Sequence, residues 1–79
     1  MADGSIYLTA DLRAAAGISR TTLDYYLREG LITPAGHTET GFLYFRAAER
    51  DRLLRLVELR RQGHKLKTIT ALLAEEPMP

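Results

Sequence analysis

Ser19-Arg20-Thr21-Thr22-Leu23-Asp24-Tyr25-Tyr26-Leu27-Arg28-Glu29-Gly30 is the stretch that decides the fold. Leu23, Tyr26 and Leu27 recur at helical spacing, and Ile18 before and Leu31 after extend the same apolar side. Thr21, Asp24, Tyr25 and Arg28 fall at i, i+3, i+4 and i+7 and form a polar stripe on the opposite side. Ser19 is a good N-cap and Gly30 a natural C′ residue, so a helix over residues 20–29 is expected. Upstream, Thr9 offers a second N-cap and Asp11 sits in the first turn, where the helix dipole favours negative charge. The alanine-rich segment 10–16 then stops at Gly17. Two short helices joined by a brief turn containing Gly make a helix-turn-helix pattern. Ser19, Arg20 and Thr21 occupy the exposed first turn of its second helix, the end that such helices present to base edges in the major groove.

Downstream, Pro34 and Gly36 forbid a helix, and Phe42-Leu43-Tyr44-Phe45 reads as a strand. The segment between 32 and 45 is therefore expected to be a small β-hairpin, or wing. These aromatics alternate faces, so most of them are expected to cover the core. A long helix follows over 46–62, with Leu53, Leu54, Leu56, Val57 and Leu59 as its apolar face and Gly63 as its stop. A fourth helix over 66–75 carries Leu66, Ile69, Leu72 and Leu73 on one stripe, and Pro77 ends it. The fold class is thus mainly α: a winged helix-turn-helix with four helices and a small hairpin wing.

Composition narrows the function. Seventy-nine residues make one domain, and 46% hydrophobic with 27% charged residues is ordinary for a globular protein. Without cysteine there are no disulfides, thiolate metal sites or Cys nucleophile. His37 and His64 have no partner at metal-ligand spacing. No apolar run approaches the roughly 18 residues of a membrane span, and the start lacks the pattern of a secretory signal. A cytoplasmic protein is expected, with no membrane partner. No nucleophile–base pair, carboxylate pair or phosphate loop suggests an enzyme, and no cofactor or metal is implied.

Net charge is only +1, but its distribution is uneven. Residues 42–67 carry eight Lys/Arg against three Asp/Glu, whereas 1–41 and 68–79 are each net −2. A concentrated basic segment creates a local positive field that the total hides. The plainer alternative is a set of arginines solvating an exposed helix face.

Three segments in order resemble the DNA-binding domain of MerR-type bacterial transcription regulators. Residues 19–26 with Arg28-Glu29-Gly30-Leu31-Ile32 and Pro34 resemble the family's recognition helix and exit, Ser-x-Arg-Thr-Leu-Arg-Tyr-Tyr, a charged pair, Gly-Leu-Leu and Pro. Gly41-Phe42-Leu43-Tyr44-Phe45 is similar to its wing element Gly-Tyr-Arg-x-Tyr. Gly63-His64-Lys65-Leu66-Lys67-Thr68-Ile69 with Leu72-Leu73 is similar to the Gly-Phe-Ser-Leu-Glu-Glu-Ile…Leu-Leu element that opens the fourth helix. The resemblance implies a domain over 6–76, flanked by a flexible start (1–5) and a tail (77–79). It further implies a second wing between the third and fourth helices, double-stranded DNA with a pseudo-palindromic operator as partner, homodimerisation through a segment beyond Pro79, and indirect action on RNA polymerase.

The DNA-binding residues expected on this basis are Ser19, Arg20, Thr21, Asp24, Tyr25, Arg28, His37, Leu43, Arg46, Lys65 and Lys67. Thr21, Asp24 and Leu43 stand where the family pattern has arginine, and Arg20 offers a substitute one position early. Asp24 would either accept from a cytosine amine or repel phosphate. Tyr26 is expected in the core and Tyr25 at a phosphate. Arg28 would reach phosphate or pair with Asp24. Lys65 holds a slot where Ser would cap and where its charge opposes the helix dipole, which phosphate capture would explain. His37 stands at the wing tip, where a plain loop histidine is the alternative. The arginines of the third helix are expected to be mostly solvated. The reduced cation count keeps open a protein-binding adaptor of the chaperone-modulator type on the same fold. An architectural DNA bender of the excisionase type is a further alternative.

Overall fold

Residues 4–75 are described by a computed structural model, and the chain's elements follow in the order β1 (Tyr7–Leu8), α1 (Thr9–Ala16), α2 (Arg20–Arg28), β2 (Gly36–His37), β3 (Leu43–Phe45), α3 (Ala47–Arg61) and α4 (Leu66–Glu75). Residues 1–3 and 76–79 lie outside the described residues, and with them most of the expected flexible start, the tail and the role of Pro77. The Gly4 carbonyl accepts from Arg46 Nη1 at 3.4 Å.

Four helices and a small antiparallel sheet confirm the mainly α winged helix-turn-helix. The hairpin is present, with Gly36 opposite Tyr44 and His37 opposite Leu43. Its loop closes through Thr38, whose N–H donates to the Phe42 carbonyl at 2.7 Å while its hydroxyl accepts from the Phe42 N–H at 3.1 Å. The sheet is larger than a hairpin, however. β1 pairs with the other edge of β3, Tyr7 opposite Phe45 and Leu8 opposite Tyr44, giving the order β1-β3-β2. A two-residue strand has no periodicity to announce it; only its partner makes it a strand.

β1 also moves the start of α1. Thr9 is the first helical residue rather than the cap, and Leu8 holds the cap position in extended backbone. Leu8 has no side-chain acceptor to offer. Instead the Asp11 carboxylate reaches back and accepts the Leu8 N–H at 2.8 Å, the return half of a capping box. At the far end Gly17 turns left-handed (φ 67°), so its N–H and that of Ile18 both reach the Arg13 carbonyl. Ser19 then starts α2 two residues later.

One core joins all the helices to β3. Leu12, Phe45, Leu53, Leu56 and Ile69 are fully buried, with Leu23, Tyr26, Leu31, Ile32, Val57, Leu59 and Leu73 around them. Leu54 does not join this group: it is 38% exposed on the outward side of α3. Val57 and Leu53, four apart, define the inward face, and Leu54 is rotated about 100° from Leu53.

Arg55, Arg60 and Arg61 of α3 are exposed, as expected of most of these arginines, and Arg50 and Arg52 are half-buried, but several of them also bond to other parts of the fold. Arg52 donates through Nε to the Leu31 carbonyl at 2.9 Å, and Arg61 through Nη2 to the Ala16 carbonyl at 3.2 Å. Arg60 donates to the His64 carbonyl at 3.0 Å, and Arg50 donates to the Tyr7 hydroxyl with its guanidinium over the Tyr7 ring. Glu49 adds an acceptor for the Thr33 N–H at 3.2 Å. Each head group satisfies a backbone or hydroxyl group at the edge of an element.

The two neighbouring leucines separate these roles. Leu56→Ala should cost about 2–5 kcal/mol, whereas Leu54→Ala should cost about 1 kcal/mol or less; urea denaturation of both variants measures the difference.

Candidate nucleic-acid interface

The outer stripe of α2 forms as its spacing requires: Arg20, Thr21, Asp24, Tyr25 and Arg28 are all exposed. Its first turn is fixed by Ser19, whose Oγ accepts from the Thr22 N–H at 3.1 Å and donates to the Thr22 hydroxyl at 3.0 Å. The Ser19 hydroxyl is thus engaged locally, holding the turn that presents Arg20 and Thr21. Leu23 and Tyr26 anchor the other side of the helix.

Adjacent tyrosines divide between the two faces. Tyr26 is 6% exposed in the core and Tyr25 is 39% exposed, with their rings tilted at 53° and 6.0 Å between centroids. Asp24 does not pair with Arg28. Its Oδ2 lies 3.8 Å from Arg20 Nε, one turn earlier on the helix.

α2 is flanked by the start of α4. A groove of about 420 Å³ is lined by Thr21, Thr22, Tyr25, Tyr26, Arg28, Arg60 and Leu66. A second, of about 290 Å³, is lined by Tyr25, Glu29, Leu31, Leu66, Lys67 and Thr70. Tyr25 and Leu66 line both, so the tyrosine stands between the recognition-type helix and α4. Arg60 is the residue that sequence reasoning missed here, having been grouped with the arginines of α3. The only signal for it was its position in the last turn before Gly63.

The α3–α4 connection has a defined geometry. Gly63 turns at φ 96°, its N–H donating to the Arg60 carbonyl at 3.0 Å and the His64 N–H to the Leu59 carbonyl at 3.1 Å. That pair of bonds is a Schellman motif, and it ends α3 abruptly enough for α4 to begin at Leu66. Lys65 is exposed directly before α4, its carbonyl accepting the Ile69 N–H at 2.9 Å. Lys67 is exposed on the first turn.

Of the remaining expected residues, His37 and Leu43 stand on the sheet, which packs against α1, and Arg46 follows β3 as the N-cap of α3. His37 is exposed on β2 and lies opposite Leu43. Leu43 is half-buried and packs against the core, so the side chain at the family's arginine position is turned to structure. Arg46 is exposed with its guanidinium 5.5 Å from the centre of the Tyr44 ring. Phe42, expected to be structural with the other aromatics, is 62% exposed beside the wing loop.

Among the described residues no helix is long and apolar enough to cross a membrane, and no group of three or more His, Asp or Glu residues is placed to hold a metal.

Residues 7–76 match the family model of MerR HTH family regulatory proteins. Among solved structures, a MerR family transcriptional regulator from Bacillus cereus superposes with a TM-score of 0.84 at 17% identity, over 95% of this chain and 56% of that one. The crystal structure of HiNmlR, a MerR family regulator lacking the sensor domain and bound to promoter DNA, superposes with a TM-score of 0.77 at 33% identity, over 89% of this chain and 53% of that one. This chain therefore spans about half the length of each of these structures. No curated protein matches the sequence.

The Ser19 cap gives the site a measurable dependence. Ser19→Ala should lower stability by about 1 kcal/mol, while Ser19→Asp, which keeps an acceptor for the Thr22 N–H, should stay within a few tenths of the parent in chemical denaturation.

Proposed function

The chain belongs to the MerR HTH family of regulatory proteins, and on that premise we propose that it is a sequence-specific DNA-binding domain of a bacterial transcription regulator. The observation that carries this is the gathering of Thr21, Tyr25, Arg28 and Arg60 around one groove, with Lys67 lining the next. Residues from three elements, far apart in sequence, thus turn cations and a tyrosine hydroxyl to one side of the molecule. α2 fits the major groove, with Arg20, Thr21 and Asp24 toward base edges and Tyr25 and Arg28 toward phosphates. Lys65, Lys67 and Arg60 grip the backbone on one side of α2, and His37 with Arg46 does so from the wing on the other. Ser19 acts through the turn it caps, and Leu43 by holding the wing to the core.

Thr21, Asp24 and Leu43 each leave out a cation that the family pattern carries, so phosphate contacts per copy are fewer and pairing of two copies on a pseudo-palindromic site compensates. The regulator works in the cytoplasm, acts on RNA polymerase through the promoter, and performs no catalysis. A protein-binding adaptor on the same fold is the second reading. It is favoured by Phe42 and Ile6, which are 62% and 54% exposed on the sheet side.

Salt dependence separates the two. Titration of a selected duplex by fluorescence anisotropy should show log Kobs falling linearly with log salt, by about 0.9 per phosphate contact. Arg60→Ala and Lys67→Ala should each reduce that slope by about 1 while weakening all duplexes alike. A failure to enrich any duplex from a randomised pool, at low and at moderate salt, would overturn the DNA reading.

A further inference from the structure

Asp24 is the single carboxylate on the outward stripe of α2, between Arg20 and Arg28. An anion there repels the phosphates of any duplex that the helix enters, and its pairing does little for the fold. Arg20 and Asp24 are 81% and 57% exposed and 3.8 Å apart, which is the regime in which ion pairs contribute almost nothing to stability. Its polarity is also unfavourable for a helix, with the cation nearer the N-terminus and the anion nearer the C-terminus. A pair that opposes local helix electrostatics, on the face proposed to meet bases, points to use in recognition.

Its geometry supplies that use. Asp24 Oδ2 faces the Nε edge of the Arg20 guanidinium at 3.8 Å, on the side away from the two Nη nitrogens that form the fork. The guanidinium fork of Arg20 matches the O6 and N7 acceptors of guanine, and an anion beside its Nε edge leaves that fork open. The second carboxylate oxygen of Asp24 lies outside that contact and serves as an acceptor. In the major groove cytosine offers an N4 amine to such a group, whereas thymine offers only an O4 acceptor and a methyl. Adenine places its N7 acceptor beside its amine, which a carboxylate avoids. Residues four apart on a helix are separated by about 6 Å along its axis, less than two base steps of about 3.4 Å each.

We infer that Arg20 and Asp24 form one specificity unit, Arg20 reading a guanine and Asp24 a cytosine within two base pairs of it. This rests on the DNA-binding reading above and names the sequence class of its operator half-site. Ser19 and Thr22, by contrast, set the position of the unit through their bonds in the first turn.

The test is parallel selection from a randomised duplex pool with the 79-residue chain, Asp24→Ala, Asp24→Asn and Arg20→Ala, after a thermal melt shows each variant folded. The parent should enrich a motif with guanine and cytosine within two base pairs. Asp24→Ala should lose the preference for cytosine over thymine by about tenfold or more, and Arg20→Ala should lose the guanine. If Asp24→Ala enriches the parent's motif unchanged, or binds every duplex more tightly by one common factor, Asp24 is only a repelling surface charge and the inference is overturned while DNA binding stands. If the parent enriches nothing, the DNA-binding reading fails and takes this inference with it.

Discussion

Burial of one side of α3 is the constraint on which the rest of the structure depends. Leu53 and Leu56 are completely enclosed, and the other core residues, from Leu12 of α1 to Leu73 of α4, form one continuous cluster with them. A domain of this size has only one core, so every element must reach it. What distinguishes this one is that the rim of the same helix does a second job. Its arginine arms end on the Leu31, Ala16 and His64 carbonyls and the Tyr7 hydroxyl. The chain segments tied in this way are the exit of α2, the end of α1, the α3–α4 connection and the edge strand. Three places where the backbone leaves a helix are thus held by side chains of α3.

That arrangement explains how a short helix can serve as a rigid reader. α2 is only nine residues, too short to be stable alone. It is fixed by Ser19 at its start, by Leu23 and Tyr26 beneath it, and by the Arg52 bond to Leu31 just past its end. The polar stripe is therefore free of structural duty. Arg60 links the two halves of the proposed interface, since it lines the groove beside α2 while bonding the His64 carbonyl in the turn before α4.

Most of α2 was legible in the sequence because everything that specifies it is local. The cap, the periodicity and the terminal glycine lie within twelve residues, and the division between Tyr25 and Tyr26 follows from rotation about one helix. β1 was not legible, because two residues carry no period and Tyr7 becomes a strand only against Phe45. Nor were the arginine arms. Arg52 and Arg61 meet carbonyls 21 and 45 residues away, a relation that composition and spacing do not encode. Charge clustering over 42–67 marks a basic region, and several of its cations also bond groups of the fold. Arg60 and Lys67 line the grooves beside α2, and only the packing of α3 on α4 brings them there.

The central claim is that one face, built from α2 and the α3–α4 connection and flanked by the wing, meets duplex DNA. Amide chemical-shift mapping with a selected duplex tests it most directly. The account predicts the largest shifts over residues 20–28 and 60–67, smaller ones over 37–42, and none along the outward side of α3 at Asp51, Leu54 and Glu58. Shifts concentrated on Ile6, Leu8 and the sheet's outer face, with α2 unmoved, would contradict it.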